Sequence, residues 1–217
     1  MISNVIFDLD GTLLNTIDDL ADAGNWVCRR HDWPTHTVEE YKYFVGNGMA
    51  KLAERFAPED QRTPDGVQAI LAEFMPYYNA HKEDKTAPYP GVRTLLERLR
   101  GEGIAMAVLS NKAHTLVPGI MEGYFPGLFR HIQGAVEGMP TKPDPTLLHR
   151  LMGEMGAVRE HTLFVGDSSV DIRTAKNGGL TSCGVLWGFR SRGELEAEGV
   201  DHIAQTPEEL GDLILGL

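Results

Sequence analysis

From residue 16 to residue 85 the chain reads as helix throughout, while on either side of that stretch short apolar runs alternate with amphipathic segments. The runs end in Gly or polar clusters, as strands of a parallel sheet do when each is followed by a crossover helix. They predict strands over 4–7, 104–109, 131–134, 162–165 and 182–186, with a weaker one over 202–204. Helices are expected over 92–100, where Val92, Leu95, Leu96 and Leu99 share a face, and over 145–154, with Leu147, Leu148 and Leu151. In the long helical stretch Val45, Met49, Leu52 and Phe56 make one apolar stripe, and Val67, Ile70, Leu71 and Phe74 another. Roughly seventy residues are too many for a loop inside a compact domain. The expectation is an α/β protein: a Rossmann-like parallel sheet core made of 1–15 and 86–217, with an all-helical sub-domain over 16–85 inserted after the first strand.

With 42% hydrophobic and 24% charged residues the chain is set apart from disordered and fibrous classes. Its net charge of −11 repels nucleic acid and anionic lipid, so a phosphate-bearing ligand has to be drawn in by a local site rather than by the overall field. Two cysteines, Cys28 and Cys183, are too few for a disulfide framework and point to a reducing compartment. The start does not read as a signal peptide, and no run approaches the roughly 18 apolar residues that cross a bilayer. A cytoplasmic protein with no nucleic-acid or membrane partner is expected, as a monomer or weak homodimer.

Four clusters carry the chemistry, and each follows a predicted strand at its carboxyl end, where open parallel sheets bind ligands. Asp8-Leu9-Asp10-Gly11-Thr12-Leu13 comes directly after Val5-Ile6-Phe7. Two close carboxylates are costly unless one is protonated or a cation joins them; chemically, Asp8 can attack an electrophile while Asp10 exchanges a proton. No Gly or terminal Glu falls where a calcium loop needs it. Ser110-Asn111 closes the strand over 104–109 and is read as opening a helix, whose free N–H groups would cradle a phosphate. In Lys142-Pro143-Asp144-Pro145, Asp144 suits an N-cap, Pro145 a first helical residue, and Lys142 then sits at the helix mouth. In Gly166-Asp167-Ser168-Ser169-Val170-Asp171, a capping box of Ser168 and Asp171 accounts for Asp171, but not for Asp167. Three carboxylates with water suit Mg²⁺, and a carboxylate nucleophile can approach a phosphoryl group only if cations offset the repulsion.

These motifs resemble the haloacid dehalogenase superfamily of phosphotransferases, in the branch with a helical cap inserted after the first motif, and most of all its phosphoglycolate phosphatases. The resemblance spans essentially the whole chain. It implies that Asp8 is the nucleophile forming an aspartyl-phosphate, Asp10 the general acid and then base, and Ser110 and Lys142 the holders of the phosphoryl group, with Gly11, Thr12 and Asn111 beside them. It further implies that Mg²⁺ is bound by Asp8, Asp167 and the backbone carbonyl of Asp10, and that Asp171 orients the metal shell or Lys142. In the cap, Val45-Gly46-Asn47-Gly48 with Lys51, Leu52 and Arg55 resembles the phosphoglycolate phosphatase pattern, which makes Asn47, Gly48, Lys51 and Arg55 candidate substrate contacts. The expected function is Mg²⁺-dependent hydrolysis of a small phosphate monoester. A sugar-phosphate mutase of the same superfamily is the nearest alternative; such mutases tend to place a basic residue after the cap glycine loop, where Met49 stands here. A phospho-accepting receiver module shares the acidic cluster, Lys and Mg²⁺, but is about half this length and has no cap.

Overall fold

The computed structural model describes residues 1–217. It comprises two compact units, one formed by Met1–Leu14 with Pro88–Leu217 and the other by Asn15–Ala87. The strands are β1 (Asn4–Phe7), β2 (Leu14–Asn15), β3 (Ala87–Pro88), β4 (Ala105–Ala113), β5 (His131–Ala135), β6 (Thr162–Gly166), β7 (Thr181–Val185) and β8 (His202–Ala204). The helices are α1 (Ile17–Arg30), α2 (Val38–Phe44), α3 (Met49–Phe56), α4 (Pro64–His81), α5 (Val92–Gly101), α6 (Val117–Tyr124), α7 (Thr146–Met155), α8 (Ser169–Gly178), α9 (Arg192–Ala197) and α10 (Pro207–Gly216).

In the larger unit six strands form one parallel sheet in the order β5-β4-β1-β6-β7-β8. Side chains alternate across a strand, and both faces of this sheet are covered. Val5, Phe7, Val108, Leu163, Val165 and Val185 pack with Leu95, Leu96, Leu99, Leu210 and Ile214 on one face. Ile6, Ala107, Leu109 and Phe164 pack with Leu147, Leu148, Leu151 and Ala175 on the other. The chain runs outward on one side of β1 through β4 and β5, then returns to the other side through β6, β7 and β8. The strand order therefore reverses at β1, and in such sheets the crevice beyond the carboxyl ends at the reversal is the ligand site.

The smaller unit packs α1 to α4 around aromatic rings: Tyr41, Phe44, Phe56, Phe74 and Tyr78 meet edge to face, tilted or stacked with centroids 5.4 to 6.2 Å apart. A Cβ at Gly24 would lie 2.2 Å from the Tyr41 hydroxyl, so only glycine lets α1 and α2 approach this closely. Buried Asp19 on α1 accepts hydrogen bonds from the Lys85 and Thr86 backbone N–H groups and the Thr86 hydroxyl at 2.8 to 3.2 Å, tying the start of the unit to its end.

Three sequence expectations are corrected. The strand expected over 104–109 continues to Ala113, and the next helix starts only at Val117, so Ser110 and Asn111 sit inside β4 and open no helix. The pairing of β4 with β5 slips between Leu109 and Ala113, an irregularity that lets the chain run on in extended form without a regular ladder. The stripe from Val45 to Phe56 is not one helical face. Val45 is extended, and Gly46 and Gly48 follow with φ of 116° and 83°, which ends α2 before α3 begins. Pro145 caps α7 rather than opening it, and Asp144 does the capping from one residue further back, its Oδ1 accepting from the Thr146 N–H at 2.9 Å.

Candidate active site

Phe7 closes β1, and the Asp8 N–H still donates to the Val165 carbonyl at 2.9 Å, which fixes the Asp8 backbone at the sheet's carboxyl edge. The chain then turns sharply: the N–H groups of Thr12, Leu13 and Leu14 all donate to the Leu9 carbonyl, and Gly11 N–H donates to Leu14. This turn needs glycine twice over. Gly11 has φ of 92°, and a Cβ there would lie 2.3 Å from Asp167 Oδ2.

At the ends of β1 and β6, and at the start of α8, the carboxylates of Asp8, Asp167 and Asp171 bring one oxygen each within 4.8 Å of the others, all three buried. Lys142 lies among them, with Nζ donating to Asp8 Oδ1 at 2.8 Å and to Asp171 Oδ1 at 2.7 Å. Its backbone is clamped by Asn111, whose amide accepts from Lys142 N–H at 2.9 Å and donates to its carbonyl at 3.0 Å. Asn111, expected to touch substrate, has both ends of its amide on the Lys142 backbone.

Each carboxylate has a distinct environment. Asp171 gives its second oxygen to the Ser168 N–H at 3.1 Å and hydroxyl at 2.7 Å, so it joins the helix start to Lys142. A Cβ at Gly166 would fall 2.2 Å from Asp171 Cβ, which leaves glycine as the residue that fits before Asp167. Asp167 accepts from the Phe189 N–H at 2.7 Å and the Thr12 hydroxyl at 3.3 Å.

Burial, and then the charge of Asp171, push the Asp167 carboxyl up to about 7. The same two causes raise Asp8 well above the usual carboxylate range, against the pull of Lys142. Burial alone would discharge Lys142, but Asp171 and Asp8 outweigh it and hold the ammonium charged beyond the ordinary lysine range. Three buried carboxylates around one ammonium leave an excess of negative charge, and an oxygen-only donor set of this kind fits a hard divalent cation.

Asp10 takes no part in that cluster. Its carboxylate is held by Lys112, whose Nζ lies 3.0 and 3.2 Å from the two oxygens. No sequence motif singles out Lys112, although it stands two residues beyond Ser110 on the same extended segment, the spacing that returns a strand side chain to the same side. The Lys112 N–H also donates to Ser110 Oγ at 3.1 Å, so the two are set by one piece of backbone.

In the helical unit Arg55 donates to the Phe44 carbonyl at 2.7 Å, the Tyr43 carbonyl at 3.3 Å and Asn47 Oδ1 at 2.9 Å. It thereby satisfies carbonyls at the end of α2 and braces the glycine loop. Lys51 pairs with Glu54 at 2.8 Å on the exposed face of α3, and Gly48 caps that helix.

The family model of haloacid dehalogenase-like hydrolases matches residues 5–185, and the chain belongs to that family. A phosphoglycolate phosphatase of Pseudomonas syringae pv. tomato is 35% identical over 98% of this chain and 78% of its own. One from Vibrio parahaemolyticus is 30% identical over 97% and 95%. Among solved structures, one from Lactobacillus delbrueckii subsp. bulgaricus superposes with a TM-score of 0.93 at 33% identity, covering 99% of both chains. With that family and those relatives the chain is a phosphoric monoester hydrolase, similar to the phosphoglycolate phosphatases. No helix is long and apolar enough to cross a membrane.

Proposed function

We propose that the chain hydrolyses a small phosphate monoester resembling phosphoglycolate, in two steps through an aspartyl-phosphate on Asp8. The observation that carries this reading is the convergence of Asp8, Asp167, Asp171 and Lys142 where the strand order reverses. Asp8 and Asp167, with the backbone carbonyl of Asp10, would hold Mg²⁺, which when bound offsets the carboxylate charge and screens the phosphoryl oxygens. Lys142, fixed by Asp171 and Asn111, bridges toward the nucleophile and holds an equatorial phosphoryl oxygen together with Ser110. Asp8 attacks phosphorus in line with the leaving oxygen, which takes a proton from Asp10. Asp10 then removes a proton from the water that attacks phosphorus and frees Asp8. The family likeness gives the helical unit the part of the cap, with specificity lodged there.

The test is a screen of small phosphate monoesters, phosphoglycolate among them, for phosphate release with Mg²⁺. Turnover on a carboxylated phosphate ester, lost in Asp8→Asn with the fold intact by circular dichroism, is the expected result. A chain that isomerises a sugar phosphate without net release is a mutase, and one phosphorylated once without turnover is a receiver. Either outcome ends the hydrolase reading.

A further inference from the structure

We propose that Lys112 is the positioning residue for the proton-transferring carboxylate of Asp10; the inference rests on the acid and base role of Asp10 proposed above. The Lys112 side chain is 1% exposed and that of Asp10 13%, and the ammonium meets both carboxylate oxygens at 3.0 and 3.2 Å. A lysine this deeply buried carries a heavy desolvation cost, which only a close counter-charge offsets. A purely structural ion pair has no need to lie at a carboxyl strand edge beside Ser110, yet this one does, with Lys112 N–H bonded to Ser110 Oγ. The irregular segment of β4 that carries Ser110 therefore also carries the group that fixes Asp10. The position of the acid is thereby linked to the position of the phosphoryl cradle.

The reason to fix Asp10 is geometric. Asp8 lies two residues before it, against Lys142, so the turn has to hold one carboxylate on the phosphorus side and the other toward the leaving oxygen. In the first step an Asp8 oxygen gives its electron pair to phosphorus, the bond from phosphorus to the ester oxygen breaks with its pair on that oxygen, and the proton that Asp10 carries into this step passes to it, leaving Asp10 as the carboxylate that Lys112 holds at both oxygens for the second step. In the second, water oxygen bonds to phosphorus, its proton goes to Asp10, and the pair of the breaking acyl phosphate bond returns to Asp8. Misplacing Asp10 by even one rotamer removes it from reach of the leaving oxygen while leaving Asp8 and Lys142 where they are.

The two kinds of leaving group separate this role from a structural one. An alkoxide must be protonated as it departs, whereas a dinitrophenolate leaves unaided. The values of kcat/KM, which report phosphoryl transfer to Asp8, are therefore measured for an alkyl phosphate and for dinitrophenyl phosphate in wild type, Lys112→Met, Lys112→Arg and Asp10→Asn. General acid catalysis is worth about 10² to 10⁴ in rate, so Lys112→Met should lose about 10- to 100-fold on the alkyl ester and under about threefold on the aryl ester. Lys112→Arg should recover part of the alkyl activity, and it keeps the test open should the Met variant fail to fold. In an Asp10→Asn background Lys112→Met should add little. Equal losses on both esters, or none on the alkyl ester while Asp10→Asn shows the leaving-group dependence, overturns the positioning role alone. Absence of that dependence in Asp10→Asn itself overturns the acid reading, and the proposal with it.

Discussion

Replacing Asp167 with Asn should stabilise the metal-free protein above neutral pH even though it removes a charged hydrogen-bond acceptor. The Asp167 carboxyl is buried, faces Asp171, and is pushed up to about 7 from 3.8. An acid whose pKa rises on folding keeps its proton more firmly in the folded chain than in the unfolded one. Folding is therefore favoured at low pH, and the advantage is lost as pH climbs from the unfolded value to the folded one. The difference between those two values, at about 1.4 kcal/mol for each pH unit, puts the full cost on the order of 4 kcal/mol. Asn has the same shape: its oxygen can accept the Phe189 N–H, and its amide can donate to the Thr12 hydroxyl. In EDTA, urea unfolding at pH 5 and pH 8 reads the effect. Wild type should lose about 3 kcal/mol more than the variant across that interval, the part of the window above pH 5. Excess Mg²⁺ should restore wild type and leave the variant nearly unchanged, because a ligand that binds only the folded state stabilises it by mass action. Parallel pH dependence in the two proteins would refute the claim that this carboxyl is held against burial and like charge.

Chelation should abolish phosphate release and added Mg²⁺ restore it; full activity after exhaustive metal removal would show that the acidic cluster works without a cation. Gly166→Ala should cost about 1 to 3 kcal/mol in thermal unfolding, since two Cβ atoms cannot share the 2.2 Å that separates the new one from Asp171. Arg55→Ala should loosen the loop after α2 by about 1 to 2 kcal/mol, read as faster proteolytic cleavage near residues 43–48, with the melting of the sheet unit unaffected.

Much of the fold was legible because a parallel sheet buried on both faces writes each strand as a short apolar run. Val5-Ile6-Phe7 and Leu163-Phe164-Val165 could be read from composition alone. The boundaries failed where polar residues continue a strand: Ser110, Asn111 and Lys112 look like a turn in the sequence, yet they stay extended because their hydrogen bonds go to Lys142, to one another and to Asp10. The Val45 stripe misled for the opposite reason, since apolar spacing is blind to two glycines at positive φ. The acidic residues of the site stood out, because a carboxylate directly after a buried strand contributes nothing to apolar packing and is costly to hold there without a cation. What each one touches was not legible. That Asn111 clamps the Lys142 backbone, that Asp171 joins Ser168 to Lys142, and that Asp10 faces Lys112 depend on contacts across 3 to more than 100 positions of sequence. The cap residues were the least readable. Arg55 has the charge to meet an anionic substrate, but its guanidinium lies against the carbonyls of Tyr43 and Phe44.

The central claim is that Asp8 carries the phosphoryl group between the two steps. The Asp10→Asn variant, slow to activate water, should accumulate that species. Mixing it with dinitrophenyl phosphate, whose leaving group departs without an acid, and Mg²⁺, then quenching in acid at intervals and measuring the intact mass, followed by peptide mapping after borohydride reduction, reads it directly. The account predicts a transient addition of one phosphoryl group, located at Asp8 and absent from Asp8→Asn. Phosphate release with no adduct at any quench time, or an adduct at another residue, would contradict it.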